Sequence, residues 1–187
     1  ARMRVLWLAL LFALPAPIQA QSPSAPVALA PDSEVRWVAF ALTPGNQIRF
    51  EMSVNGRPAT AILDTGVSYT VASTEFARAA GLKLGAVGNA EALGFGGLQR
   101  VGGRVAVTDL KAVATGGGAP VDLLVGADLL GHAALDIDYD ARRFRLLPSG
   151  RMPFRGTSVP LGLARSSGIY LSEVTIGTRR LRPVIVD

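Results

Sequence analysis

The chain has 187 residues, 49% of them apolar and 6% aromatic, with a formal net charge of +5 at pH 7. That length accommodates one domain of about 150 residues with a remainder, and that apolar content excludes disorder over the bulk of the chain. With no cysteine present, a disulfide framework, a thiol nucleophile and a cysteine metal site are all excluded.

Arg2 and Arg4 precede an apolar run from Val5 to Leu14, which is followed by Pro15-Ala16-Pro17 and then Ile18-Gln19-Ala20. This order of charged, apolar and small-residue regions reads as a secretory signal peptide over 1–20, cleaved after Ala20. The expected localisation is therefore exported, periplasmic or secreted. The run is too short to span a bilayer comfortably; an uncleaved membrane anchor is the alternative reading, and no stable membrane insertion is expected once the signal is removed. Residues 21–34, rich in Ser, Pro and Ala through Pro31, read as a flexible linker.

The folded part is expected from Val35, with a strand-like run to Leu42 broken by Pro44-Gly45. Ile48 to Val54 alternates apolar and polar residues, the pattern of a half-buried strand. Asn55-Gly56 is a strong hairpin signal. The return strand, Ala59 to Leu63, runs straight into Asp64-Thr65-Gly66-Val67-Ser68. A carboxylate at the end of an apolar strand is costly to bury unless it is hydrogen-bonded or paired. It is either a turn aspartate bonding its own backbone or a functional group held on a rigid element. Tyr69-Thr70-Val71 reads as a short strand, Ser73 as a helix N-cap, and Gly81 as the helix end.

Ala92 to Leu98 threads apolar residues through Gly94, Gly96 and Gly97, which predicts a mobile hairpin tip. Gly102 to Val107 reads as its returning strand, and 115–118 as a loop. Val121 to Val125 is a buried apolar strand ending at Gly126, with a short helix after it. Residues 133–138 and 142–147 then form a closing hairpin in which Asp136 and Asp138 alternate with Leu135 and Ile137. Such residues face solvent or a turn rather than chelating a metal. His132, the sole histidine, reads as structural. No metal and no cofactor are expected. After Ala141 nine arginines stand against Glu173 and Asp187 alone. They are scattered among strand-like residues without an aromatic platform, so no nucleic-acid partner is expected.

Asp64-Thr65-Gly66 after an apolar strand, a Gly-rich hairpin at 94–97, and Leu124-Val125-Gly126-Ala127-Asp128-Leu129-Leu130 together resemble the retropepsin-like aspartic protease family over residues 45 to 148. The resemblance implies an all-β fold: a closed β-barrel lobe, taken here as 35–148, with a flap hairpin and one or two short helices. It implies Asp64 as catalytic residue, Thr65, Gly66 and Ser68 as support of the Asp loop, Gly94, Phe95, Gly96 and Gly97 as the flap, and Leu124, Val125 and Gly126 as the hydrophobic-Gly motif. The 94–97 segment is short and lacks the flap tyrosine of the family. The implied activity is that of an aspartic endopeptidase (a hydrolase) acting on a polypeptide substrate.

Peptide hydrolysis by carboxylates needs two of them sharing a proton, so Asp64 is half of a site. The segment 168–177 repeats the pattern of 48–56, and Arg182-Pro183-Val184-Ile185-Val186-Asp187 resembles Arg57 to Asp64. This internal repeat reads residues 149–187 as the start of a second, truncated lobe, with Asp187 as the partner carboxylate of a complete two-lobe protein. The expected partner of the lobe is a second lobe in the same longer chain or a homodimer mate. The alternative from another functional class is a non-catalytic peptide-binding or structural module that retains the barrel.

Overall fold

The computed structural model describes residues 26–82, 87–113, 118–150 and 154–186. Residues 1–20, expected as a signal peptide, and Asp187 lie outside the described residues. The strands are β1 (Val27–Leu29), β2 (Val38–Leu42), β3 (Ile48–Val54), β4 (Arg57–Leu63), β5 (Val71–Ser73), β6 (Val87–Asn89), β7 (Ala92–Phe95) and β8 (Leu98–Val101). They continue with β9 (Arg104–Thr108), β10 (Leu123–Val125), β11 (Ala134–Asp138), β12 (Arg143–Leu147), β13 (Gly162–Leu163), β14 (Tyr170–Ile176) and β15 (Arg179–Ile185). Among the described residues the short helices α1 (Thr74–Ala79) and α2 (Ala127–Leu130) follow β5 and β10.

Local chemistry explains most of these boundaries. In β3 the side chains of Ile48, Phe50, Met52 and Val54 are buried and those between them are not, as a period of two requires. Asn55 (φ 50°) and Gly56 (φ 75°) form the two-residue turn into β4, a left-handed pair that suits the twist of the strands it joins. The Ser73 hydroxyl accepts a hydrogen bond from the Phe76 amide and caps α1. The sequence places residues 27–29 within an expected flexible linker. They form β1 instead, because their backbone pairs with β8 in an antiparallel register of Val27 with Arg100.

Among the described residues β1 to β12 form one sheet, ordered β1-β8-β7-β3-β4-β10-β5-β9-β6, with β2 bridging β3 and β12 and β11 beyond β12. The sheet curls into a half-barrel, an all-β architecture with few helices. Its core is aromatic on one side. Phe144, fully buried, stacks edge-on against Phe50 at 5.1 Å and near Phe95 at 6.2 Å and Phe40 at 6.4 Å. Leu98, Leu123 and Leu129 complete it from the other strands and α2.

Two features of this topology matter for the site. First, β10 inserts between β4 and β5, parallel to β4 and antiparallel to β5. The segment 64–70 that joins β4 to β5 must therefore cross over the end of β10. Second, β6–β7 and β8–β9 share one register, from Val87 opposite Ala106 to Phe95 opposite Leu98. They are a single long hairpin closed at Gly96 (φ 53°) and Gly97 (φ 87°).

Residues 162–185 form a separate three-stranded sheet, β13-β14-β15. The strands expected at 168–177 and after Arg182 are β14 and β15, joined at Gly177 (φ 60°). The apolar side chains Val174, Ile176, Leu181 and Ile185 of this sheet are exposed.

Candidate active site

The loop from Asp64 to Thr70 is held at both ends and from below. At its start the Asp64 amide donates to the Val125 carbonyl at 3.1 Å, continuing the β4–β10 ladder by one bond. The half-buried Asp64 carboxylate accepts a hydrogen bond from the Gly66 amide at 3.0 Å. That contact places a glycine where the backbone must fold back toward the side chain. Thr65 donates its hydroxyl proton to the Val186 carbonyl at 2.7 Å. Val67 and Ser68 accept, through their carbonyls, from the amides of Ala127 (2.9 Å) and Asp128 (3.1 Å).

Gly126 explains the hydrophobic-Gly motif physically. A Cβ built there would lie 2.7 Å from the Tyr69 carbonyl carbon, 2.8 Å from its oxygen and 2.9 Å from the Val67 oxygen. Any side chain here would press on the backbone of the crossing loop and force it to shift, which favours glycine just after β10. Leu124 and Val125 just before it are buried and supply the apolar floor.

Thr70 closes the loop. It is fully buried, and its amide and hydroxyl both donate to Asp128 Oδ1 at 2.8 Å. The other Asp128 oxygen, Oδ2, accepts from Arg100 Nη1 at 2.7 Å. Thr70 Oγ1 in turn accepts from the Gly126 amide at 3.3 Å, and the Thr70 carbonyl accepts from the Ala106 amide at 3.1 Å.

The structure thus brings together Asp64, Thr65, Gly66 and Ser68 with Leu124, Val125 and Gly126. Residues 94–97, expected as the flap, make contacts with Ala30, Ser33, Val38, Phe50 and Leu146. The expected mobile tip is docked on the core: Phe95 packs on Phe50 at 5.1 Å, and a Cβ on Gly96 would meet Val38 at 3.0 Å. Gly97 lies against Ser33 and Ala30, and its carbonyl accepts from the Ala30 amide at 2.8 Å. The alternation of glycines with Leu93, Phe95 and Leu98 set a buried strand pair here, not a free tip, and the N-terminal strand β1 covers its edge. His132 follows α2, its amide donating to the Leu129 carbonyl. Asp136 and Asp138 pair with Arg145 and Arg143. Among the described residues no three His, Cys, Asp or Glu side chains are grouped to hold a metal ion.

Sequence reasoning did not single out Thr70, Asp128 or Arg100 as site residues. Asp128 carried a usable signal, a carboxylate two residues past the glycine that ends an apolar strand. Arg100 carried none, because its partner is 28 residues away.

Residues 50–129 match the aspartyl protease family. Among solved structures, the chain is similar to a retropepsin-like aspartic protease from Rickettsia conorii, at 21% identity over 66% of this chain and 92% of that one, with a TM-score of 0.43. It is also similar to the retroviral protease-like domain of Ddi1 from Leishmania major, at 16% identity over 57% of this chain and 98% of that one, with a TM-score of 0.36. No curated protein matches the chain.

Proposed function

We propose, from the match of residues 50–129 to the aspartyl protease family, that the protein is an aspartic endopeptidase in which Asp64 is one half of a water-activating dyad. In such a dyad two carboxylates share one proton. The ionised one takes a proton from water while the protonated one donates toward the scissile carbonyl oxygen. The substrate is an extended polypeptide, which can pair its backbone with strand edges beside the loop.

The observation that carries this reading is the hydrogen bond from Thr65 to the carbonyl of Val186. Thr65 is the neighbour of Asp64, and Val186 precedes Asp187 in a segment that repeats the pattern leading to Asp64. A bond between these two positions supports Asp187 as the second carboxylate, with residues 149–187 belonging to a second lobe. A homodimer pairing two copies of Asp64 is the competing arrangement, and it would have to displace that bond. The signal-like segment 1–20 supports export to the periplasm or the exterior.

The test is hydrolysis of an unfolded protein substrate from acidic to neutral pH by the chain beginning at Gln21, beside an Asp64→Asn control. Hydrolysis that the substitution abolishes supports the proposal. Hydrolysis that survives it refutes Asp64 as catalytic residue. A specific activity independent of protein concentration favours the second lobe in cis, and one that rises with concentration favours the homodimer.

A further inference from the structure

Arg100 is the buried charge for which the dyad chemistry has no use. Its side chain is 6% exposed, and that of its partner Asp128 is 15% exposed. It projects inward from β8, part of the long hairpin, and reaches the α2 corner on which the Asp loop rests. Its Nη1 donates to Asp128 at 2.7 Å and its Nη2 to the Arg104 carbonyl at 3.2 Å. The second bond spans Gly102 and Gly103, both with positive φ, where the strand is interrupted between β8 and β9. Arg100 Nε is buried with no hydrogen-bond partner among the described residues.

This is a poor arrangement for stability alone. A buried ion pair commonly gains no more than a well-packed apolar pair of the same volume, because both charges lose their water. An unmet buried donor adds a further cost. What the pair does supply is direction. With Oδ2 of Asp128 taken by Arg100, Oδ1 is left pointing at Thr70, where it receives both the amide and the hydroxyl proton. The Thr70 hydroxyl, having only one proton and having given it to Asp128, presents a lone pair to the Gly126 amide. Each bond sets the orientation of the next, and the last two define where the Asp loop ends and what it crosses.

We propose that Arg100 is a positioning residue for the Asp64 loop: it orients Asp128, which holds Thr70 and with it the far end of the 64–70 crossing. The chain of contacts is Arg100, Asp128, Thr70, Gly126, and it links the hairpin to the loop across three elements. The proposal rests on the catalytic reading of Asp64 only for its kinetic consequence. The structural consequence is independent of catalysis.

Removing Arg100 alone would strand the Asp128 charge, so the informative variant is the neutral pair Arg100→Met/Asp128→Asn. The asparagine oxygen can still accept both Thr70 bonds, and no buried charge is left behind. Amide hydrogen exchange resolved along the chain, with thermal melting beside it, separates orientation from stability. The expected result is a melting temperature within about 5 °C of the unsubstituted protein. Exchange at residues 66–70 should rise about tenfold, while that of β3 and β4 is unchanged. Arg100→Lys keeps the charge but cannot bond Asp128 and the Arg104 carbonyl with one planar group, and should raise loop exchange by a smaller factor. In the hydrolysis assay both variants should lower kcat with KM within about twofold.

Loop exchange that is unchanged in the folded double variant overturns the proposal and leaves Arg100 a counter-ion. If the double variant does not fold, unchanged loop exchange in Arg100→Lys does the same. Absence of hydrolysis by the unsubstituted protein would sink the catalytic reading, while the exchange result would still decide the role of Arg100.

Discussion

Gly126→Ala is the sharpest test of the crossing of the Asp loop over β10. The backbone at Gly126 has φ −97° and ψ −176°, which any residue can adopt, so the substitution carries no conformational penalty of its own. Its effect is steric. The new Cβ would stand 2.7 Å from the Tyr69 carbonyl carbon, whereas ordinary contact begins at 3.4 Å, so the loop must retreat by about 0.7 Å. Overpacking of this kind costs about 1–3 kcal/mol, and the stiffer unfolded chain returns about 0.4–1 kcal/mol. The net destabilisation is about 1–2 kcal/mol, which for a chain of this size lowers Tm by about 2–8 °C. The retreat also stretches the Ala127-to-Val67 bond, 2.9 Å in the native fold, and moves Asp64 relative to its partner. A displacement approaching 1 Å should lower kcat/KM by one to two orders of magnitude, roughly 10- to 100-fold. The assays are differential scanning calorimetry and peptide hydrolysis, with Gly162→Ala as control, since a Cβ there would lie 3.7 Å from the Leu171 carbonyl. If Gly126→Ala matches that control in both Tm and rate, the packing of loop on strand as described is wrong.

Asp64→Asn should abolish hydrolysis while leaving the melting curve nearly unchanged, because the asparagine oxygen can still accept from the Gly66 amide; circular dichroism melts and the hydrolysis assay read the two effects. Thr65→Val removes the donor to Val186, a loss of about 0.5–1.5 kcal/mol, and limited proteolysis should then cut within 154–186 several-fold faster while β1 to β12 keep their protection. Phe144→Ala empties the space between Phe40, Phe50 and Phe95; a cost of about 3–5 kcal/mol should appear as a urea midpoint lowered by about 2 M. The Ala141 amide, which donates to Asp138, and the Arg143 beside it hold the Asp138 carboxyl below its ordinary 3.8. A depressed folded value means that this stabilisation is present above pH 3.8 and is lost as pH falls through the folded pKa. Asp138→Asn should therefore lower Tm at near-neutral pH and have no effect in strong acid, which melting at the two extremes will show.

The features legible from residues alone were those whose cause is local. The run into Asp64, the Asn55-Gly56 turn, the Ser73 cap and the alternation of β3 depend on neighbours within a few positions, and each formed as its side chains require. The apolar strand ending at Gly126 was equally plain, but the reason for its glycine was not. That reason is the insertion of β10 between β4 and β5, a pairing of segments about 60 residues apart. The Gly94–Gly97 segment shows the limit most clearly: glycines permit a mobile tip, yet burial of Phe95 and Leu98 and the cover of β1 decide that it is core. Arg100, Asp128 and Thr70 belong together only because the long hairpin and the Asp loop converge on one corner of the sheet. Sequence chemistry determined which residues could do work, and tertiary pairing decided which of them meet, because the free energy of long-range contacts is shared among segments that no local pattern connects.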